Sequence, residues 1–174
     1  MISNRFRGNV ALGDTTNVAW DWIPGGGAIL MRGAGDRQIT MLSNAIFENV
    51  ATQNGGGLYL FSCEDSLLCI NNTIADNSAS LGGGLYAYES NSAFFNNLIW
   101  DNSASSQTGN QMYFDGDASA TFTNCILEDG WDDVAITGTD DCDTLSIIDA
   151  DPKLTYDSTD PYTFWRTSPC INQA

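Results

Sequence analysis

The chain has 174 residues, a formal net charge of −16 and no histidine, and this length is enough for one domain with a buried core. Its 22 acidic residues against 6 basic ones make nucleic acids and anionic membranes poor partners, because phosphate groups would be repelled. No apolar run approaches the length of a bilayer span, so no transmembrane segment is expected. Gly, Asn, Ser, Thr and Asp are abundant, which favours strands joined by turns.

The first repeated motif is an asparagine between two apolar residues, and it begins at Ile2-Asn4-Phe6. The asparagine recurs at intervals of 40, 28, 25 and 27 residues, and a second polar position follows five residues later each time. We expect the apolar residues to stack inward and the asparagines to lie at bends with left-handed backbone angles, hydrogen bonded to one another as a ladder. The predicted ladder contains Asn4, Asn44, Asn72, Asn97 and Asn124.

A glycine cluster that precedes a short strand is the second repeated motif. It starts at Gly25, Gly55 and Gly82, with a degenerate copy at Gly109, at intervals of 30, 27 and 27 residues. Two motifs that share a period in the upper twenties predict an array with one coil of strands per repeat. Because parallel crossovers are right-handed in nearly all proteins, the predicted fold is an all-β, right-handed parallel β-helix (a solenoid) of about five coils over residues 1–127.

Two regions depart from the repeat. The first interval is about a dozen residues longer than the others, which predicts an inserted loop at about residues 12–24; its Trp20 and Trp22 either cover an open end or contact a sugar or partner. Residues 128–160 hold 11 of the 22 acidic residues, and we expect 128–174 to form an irregular acidic segment that covers the last coil of the same domain. The repeat begins at residue 2, so any signal peptide is expected to lie outside this sequence.

Five cysteines leave at least one thiol without a partner inside the chain. Cys63 and Cys69 flank a predicted turn, and Cys142 and Cys170 lie in the C-terminal segment. We predict the disulfides Cys63–Cys69 and Cys142–Cys170, which would indicate an oxidising compartment. The alternative is that the cysteines are buried free thiols.

The repeats resemble those of a known group of proteins. Gly26-Gly27-Ala28-Ile29 and Phe6-Arg7-Gly8-Asn9 are similar to the GGA-plus-aliphatic and FxxN repeats of bacterial polymorphic-outer-membrane-protein-type β-helices, although later coils replace the Ala by Gly and the Phe by Ile. The end of the chain from Asp151 to Asn172 resembles the choice-of-anchor segment of secreted bacterial β-helix proteins. The resemblance implies an extracellular or cell-surface location within the broad pectate-lyase-like superfamily, which contains lyases, hydrolases, adhesins and passive stalks.

An outward aromatic stripe is the main candidate for a binding surface. If Leu58 and Leu60 point inward, their neighbours point outward by strand alternation, and we place Ile29 and Met31 on the same outer face in the first coil. Such a stripe is unusual on a solvated monomer and can stack on sugar rings, bind another subunit or lie beneath another segment. The predicted ligand-binding residues are Tyr59, Phe61, Tyr86, Tyr88 and Tyr113, together with Trp20 and Trp22.

The catalytic alternative uses Asp115 and Asp117, with Glu89 one coil below, because a glycoside hydrolase needs paired carboxylates on an exposed surface. Acidic residues in turns are more often solvated turn formers, and the His- and Lys-bearing motifs of pectin-cleaving hydrolases have no match in this chain. A lyase would need an arginine or lysine base, and only Arg32 and Arg37 lie near this face.

Alternate carboxylates at Asp141, Asp143, Asp149 and Asp151 offer oxygen ligands for a structural calcium ion. They lack the glycine and the closing glutamate of an EF-hand loop, and a solvated acidic loop is the alternative. No other cofactor is expected, since zinc would need histidine or a Cys-x-x-Cys pair.

These observations predict a non-catalytic, adhesin-type extracellular module. Its expected partner is a polysaccharide or surface glycan, or a second copy of itself bound through the aromatic face or by end-to-end stacking. The alternative is a carbohydrate-active enzyme, either a polysaccharide lyase or a glycoside hydrolase.

Overall fold

The structure, a computed structural model, describes residues 1–12, 25–33, 38–63, 67–138, 142–155 and 163–164. Within these ranges the chain forms short strands, and no helix there is long and apolar enough to cross a membrane. The strands in chain order are β1 (Arg5–Arg7), β2 (Val10–Ala11), β3 (Ile29–Arg32), β4 (Ile39–Leu42), β5 (Ala45–Phe47), β6 (Val50–Ala51), β7 (Leu58–Phe61), β8 (Leu67–Ile70), β9 (Thr73–Ala75), β10 (Ser78–Ala79), β11 (Leu85–Tyr88), β12 (Asn91–Phe95), β13 (Leu98–Trp100), β14 (Ser103–Ala104), β15 (Met112–Gly116), β16 (Ser119–Leu127), β17 (Val134–Gly138), β18 (Asp143–Ile148), β19 (Leu154–Thr155) and β20 (Thr163–Phe164).

Three parallel sheets wind around one core. One sheet has five strands in the order β17-β15-β11-β7-β3, and a second has four in the order β14-β10-β6-β2. The third has two rows, β1-β5-β9-β13 and β4-β8-β12, which meet in the long strand β16 and are extended by β18. The all-β solenoid is therefore confirmed. It has three complete turns, which begin at β5, β9 and β13, with partial turns before and after them. The number of turns therefore differs slightly from the predicted five coils.

The core is built from apolar columns that repeat once per turn. Leu58, Leu85 and Met112 stack in the five-stranded sheet, where they lie in register and are fully buried. Phe94 and Phe122 stack face to face in the third sheet, with ring centroids 4.9 Å apart. Each buried side chain of this size contributes about 1.5–3 kcal/mol relative to an exposed one. These columns therefore stabilise the packing of each turn on the next.

The asparagine ladder is confirmed at Asn4, Asn44, Asn72 and Asn97. The amide oxygens of Asn44, Asn72 and Asn97 each accept two hydrogen bonds from the asparagine one turn below, as between Asn44 Nδ2 and Asn72 Oδ1 at 2.9 Å. The predicted fifth member, Asn124, is wrong. Strand register aligns Leu98 with Ile126, an interval of 28 residues instead of 27, so Cys125 occupies the ladder position above Asn97 and Asn124 is exposed at the bend.

The left-handed residue of each bend precedes the ladder asparagine and is not the asparagine itself. Ser43, Asn71 and Asn96 have φ angles of 54°, 55° and 55°. The predicted left-handed angle at the asparagines is therefore wrong, because the corner is made one residue earlier and the amide then turns into the interior.

This corner also reverses the expected alternation of the strand before it. Leu42, Ile70 and Phe95 were predicted to stack inward, but the inward positions belong to the residues before them, Met41, Cys69 and Phe94, which are fully buried. The expected inward column thus lies on the outer surface, where Phe95 is 38% exposed. The physical reason is that one left-handed residue interrupts the period of two.

A second ladder runs through Asn9, Asn49, Asn77 and Asn102. Its next member is Gln111, whose Oε1 accepts a 2.8 Å hydrogen bond from Asn102 Nδ2. Gln111 Nε2 then donates a 2.7 Å hydrogen bond to Glu128 Oε2. Every amide in this chain of bonds donates toward the C-terminal end, so a carboxylate, which only accepts, completes the ladder. Asp129, the expected last member, is exposed.

The solenoid continues past the predicted boundary at residue 127. β17 pairs with β15 and β18 pairs with β16, both in parallel, so these two strands add a partial turn where an irregular covering segment was expected. After this turn Leu154, at the start of β19, is buried in an apolar cluster on the outside of the third sheet, with Phe47, Ala75, Leu98 and Ile126. This part of the C-terminal segment therefore packs along the side of the solenoid.

The predicted Cys63–Cys69 disulfide is wrong, because both residues are buried free thiols. The Cys63 thiol donates to the carbonyl oxygens of Met31 and Phe61, at 3.6 and 3.7 Å. The Cys69 side chain lies in the inward column of β8, and burial raises the pKa of its thiol well above the usual range. Cys170 lies outside the described residues, so the Cys142–Cys170 disulfide remains a prediction.

Candidate binding surface on the five-stranded sheet

The outer face of the five-stranded sheet carries two columns of side chains. Strand register gives the first column as Leu30, Tyr59, Tyr86, Tyr113 and Ala135, and the second as Arg32, Phe61, Tyr88, Asp115 and Thr137. The predicted outward direction of the aromatic residues is confirmed. The first coil differs from the prediction, because Ile29 is in register with Leu58 and Met31 with Leu60, so Ile29 and Met31 are buried in the core. In the first coil the glycine cluster begins one residue earlier relative to the strand than in later coils, because Gly25 is in register with Asn54.

Tyr59 and Tyr86 face away from the core but are covered. They are 1% and 5% exposed, and their rings meet edge to face with centroids 5.2 Å apart. Gly25 lies so close that a Cβ atom there would collide with the Tyr59 ring. Burial raises the pKa of Tyr59 to about 12. Both tyrosines were predicted to bind a ligand, and in this structure they form part of the packing instead.

On this face of the sheet the accessible aromatic side chains are Phe61, Tyr88 and Tyr113, each half-buried. The Phe61 and Tyr88 rings stack with centroids 5.3 Å apart and an interplanar angle of 13°. The Arg32 guanidinium lies 5.2 Å from the Phe61 centroid, on the side opposite to Tyr88 by register. Both faces of Phe61 are therefore in contact with protein, and it is the ring edges that are turned toward solvent.

Asp115 follows Tyr88 in the second column, and both of its oxygens accept hydrogen bonds. Oδ2 accepts a 2.7 Å hydrogen bond from the Tyr86 hydroxyl, and Oδ1 accepts bonds from Thr137 Oγ1 and the Gly116 amide, both at 2.9 Å. Burial raises the pKa of Asp115, but the three hydrogen bonds outweigh it and hold this pKa below its ordinary value. Asp115 is therefore an ionised, structurally bound carboxylate.

The three predicted catalytic carboxylates do surround one side chain, Tyr88. Glu89 and Asp117 are exposed, and Ser62 Oγ lies 3.4 Å from Glu89 Oε2. The pKa of the Tyr88 hydroxyl is raised, first by its hydrogen bond to Glu89 and second by the negative charge of the nearby carboxylates. A glycosidase needs one carboxyl group held protonated as an acid. Asp115, with its lowered pKa, does not fit that role. The three carboxylates together are better suited to accept hydrogen bonds.

Of the remaining predicted site residues, the structure describes the side chains of Asp149 and Asp151. Asp149 is exposed, and Asp151 Oδ1 accepts a 2.7 Å hydrogen bond from the amide of Lys153. In the described parts of the chain no three His, Cys, Asp or Glu side chains form a group that could hold a metal ion. Asp141, Trp20 and Trp22 lie outside the described residues, as does the side chain of Asp143.

Two outer surfaces were missed by the sequence reasoning. One is the column of Ile2, Leu42, Ile70 and Phe95 on the third sheet, which a polar, left-handed residue before each asparagine could have revealed. The other is a shallow groove of about 310 Å³ on the four-stranded sheet. It is lined by small side chains that include Thr52, Ser80 and Ser105, and the short strands around it carry no strong sequence signal.

Comparison with known proteins agrees with the geometry. The family model described as "Right handed beta helix region" matches residues 2–139, which span the solenoid from its first turn to the end of β17. No match was found among curated proteins or among solved structures. With most of its length matched by this family and its strands wound into a parallel solenoid, the chain belongs to the right-handed β-helix family.

Proposed function

We propose that the chain is a non-catalytic binding module that holds an extended polysaccharide against the outer face of the five-stranded sheet. The contacts are the edges of Phe61, Tyr88 and Tyr113 and the carboxylates of Glu89 and Asp117. The observation that carries the proposal is the stacked Phe61–Tyr88 pair, half-exposed on an ordered sheet and bordered by exposed carboxylates.

The chemistry of this surface matches a sugar chain. Aromatic edges carry partial positive charge, which suits the ring and hydroxyl oxygens of a sugar, and carboxylates accept short, strong hydrogen bonds from hydroxyl groups. The surrounding acidic residues would repel uronate or sulfate groups. The ligand class is therefore a neutral or amino-bearing polysaccharide.

The solenoid also presents these groups in a fixed arrangement. Neighbouring strands lie about 4.8 Å apart, and the stacked rings and hydrogen-bonded ladders hold the side chains in place. Little conformational entropy is lost when a ligand binds to such a surface. An extracellular or cell-surface location belongs to the same proposal and is supported by the resemblance to secreted bacterial β-helix proteins.

The enzyme alternative is less well supported. The lowered pKa of Asp115 and the complete use of its oxygens favour a structural role over a catalytic one. Glu128, whose pKa is raised by burial, accepts hydrogen bonds from Gln111 and from the amide of Asp101 in the second ladder, away from Tyr88.

The test is a panel of neutral, amino-bearing and uronate polysaccharides in affinity electrophoresis. Tyr88→Ala should weaken binding about tenfold, the scale of one important interface contact, and Glu89→Gln should weaken it without changing the packing. Phe95→Ala is the matched control, because it removes a partly exposed aromatic residue from another sheet. Equal affinity for wild type and Tyr88→Ala would contradict the proposal, and newly released oligosaccharides would favour the enzyme.

A further inference from the structure

The second column of the five-stranded sheet changes its chemical character along its length. In order it contains Arg32, Phe61, Tyr88 and Asp115. The Arg32 guanidinium lies 5.2 Å from the centroid of the Phe61 ring, and the Tyr88 ring stacks 5.3 Å from the same centroid. The column therefore offers hydrogen-bond donors at one end, apolar ring edges in the middle and carboxylate acceptors beyond them.

Arg32 supplies the donors. A guanidinium carries five N–H groups in a planar, rigid arrangement, and an electrostatic contact with an aromatic ring leaves these groups able to donate elsewhere. Arg32 is exposed, and within the described ranges its guanidinium makes no hydrogen bond or ion pair. A ligand oxygen that binds to Arg32 therefore does not have to displace a protein partner from the described part of the chain.

Glu89 supplies an acceptor on the other side of the stacked rings. Its exposed carboxylate accepts a hydrogen bond from the Tyr88 hydroxyl, and a carboxylate has about four acceptor sites, so sites remain for a ligand N–H. The residue one turn later is Gly116, where even a Cβ atom would come within 3.1 Å of Glu89 Cγ. Because this glycine has no side chain, the Glu89 carboxylate stays uncovered on that side.

The charge of the surface decides which acceptor suits Arg32. The carboxylates of Glu89, Asp115 and Asp117 surround Tyr88 and repel an anionic ligand group. A neutral carbonyl oxygen accepts from a guanidinium without this repulsion. An acylamino group has such an oxygen, an N–H that can donate to a carboxylate, and an alkyl group that can pack on ring edges. It matches all three parts of the column.

We propose that the ligand is a polysaccharide of N-acylated amino sugars that lies along the solenoid axis, with an acyl oxygen bound to Arg32 and the amide N–H of a later sugar bound to Glu89. This assignment rests on the proposed glycan binding and adds the sugar substituent that the surface recognises. Neighbouring turns are about 4.8 Å apart. Arg32 and Glu89 belong to turns two apart, so they contact different sugars of one chain.

The experiment compares oligomers of glucose, glucosamine and N-acetylglucosamine that have the same length and linkage and differ only in one substituent: hydroxyl, amino or acetamido. Isothermal titration calorimetry with the full chain measures each dissociation constant. The acetamido oligomer should bind about tenfold more tightly than the glucose oligomer, the scale of one important contact. Equal affinities, or tightest binding of the amino oligomer, would overturn the assignment and leave glycan binding standing. Binding of none of the three would overturn it too, and the polysaccharide panel then decides whether any glycan is bound.

Variants of Arg32 test its role through the ratio of the two affinities, which does not depend on the fraction of misfolded protein. Arg32→Ala should reduce the preference for acetamido over glucose oligomers, because it removes the donors to the acyl oxygen. Arg32→Lys keeps the charge but loses the planar arrangement of donors, so the preference should fall less. Lys153→Ala is the matched control, since it removes one exposed positive charge beside β19 and should keep the wild-type preference. An unchanged preference in Arg32→Ala would overturn the assignment.

Discussion

The Tyr86 hydroxyl donates a 2.7 Å hydrogen bond to Asp115 Oδ2, a carboxylate of the next turn. This bond links the two outer columns of the five-stranded sheet and keeps Asp115 in its ionised form. It also explains why a tyrosine that is only 5% exposed can lie on the outer side of the sheet, since its polar end has a partner.

Replacing Tyr86 by phenylalanine should therefore destabilise the fold. The ring packing stays, but Asp115 loses one hydrogen-bond donor, at a cost of about 1 kcal/mol for a partly exposed group. Urea unfolding at neutral pH measures this free energy. Tyr88→Phe removes a hydroxyl from the half-exposed neighbouring column and should change it less. Equal stability of Tyr86→Phe and wild type would contradict the structural role of the bond.

The pH dependence of stability should show Asp115 and Glu128 acting in opposite directions. The pKa of Asp115 is lowered in the fold, so its contribution is present above the unfolded pKa of about 4 and is lost as pH falls through the folded pKa. Burial raises the pKa of Glu128 above its unfolded value. The fold therefore loses stability as pH rises from the unfolded pKa of this group through its folded pKa. Thermal unfolding from pH 3 to 7 should show a smaller acid loss for Asp115→Asn, and Glu128→Gln should be relatively more stable at pH 7 than at pH 4. The opposite signs would show that the assignments are wrong.

The register of the asparagine ladder can be tested with one substitution at two positions. Asn97→Gly removes a buried amide that hydrogen bonds to the carbonyl oxygens of Cys69 and Phe95 and accepts from Asn72, so it should cost roughly 3 kcal/mol or more. Asn124→Gly should be nearly neutral, because Asn124 has a φ of 53° that glycine adopts without strain. Chemical unfolding measures the free energy of unfolding of both variants. A similar loss in the two would indicate that Asn124 belongs to the ladder.

The buried thiols should be inert in the folded protein. Cys63, Cys69 and Cys125 are almost completely covered, so a soluble alkylating reagent should modify them only after denaturation. Mass spectrometry of tryptic peptides, without reductant, locates the modified residues. A Cys63–Cys69 disulfide found in this experiment would contradict the structure.

Sequence periodicity was sufficient to predict the solenoid because each turn repeats the same inward apolar positions and the same buried amides. It failed where one residue changes direction. The left-handed angle at Asn96, for example, turns Phe95 outward although the motif around it is unchanged, and a one-residue offset places Cys125 instead of Asn124 above Asn97. Such local angles follow from tertiary packing and leave little trace in the pattern of apolar residues.

The candidate site was predictable to the same extent. Alternation correctly placed Tyr59, Phe61 and Tyr86 on the outer face, but it carries no information about what covers them, so the burial of Tyr59 and Tyr86 was not foreseen. The role of Asp115 depends on hydrogen bonds to Tyr86 and Thr137, which lie on neighbouring turns and become visible only with the register of the sheets.

The most direct measurement is a chemical-shift map of the labelled protein during titration with a polysaccharide that it retains. The shifts should change around Phe61, Tyr88 and Tyr113, and around the side chains of Glu89 and Asp117, while the resonances of Phe95 and of Ser80 in the groove stay in place. Changes confined to the third sheet or to the groove would contradict the proposed function, because the ligand would then bind to a different face of the solenoid.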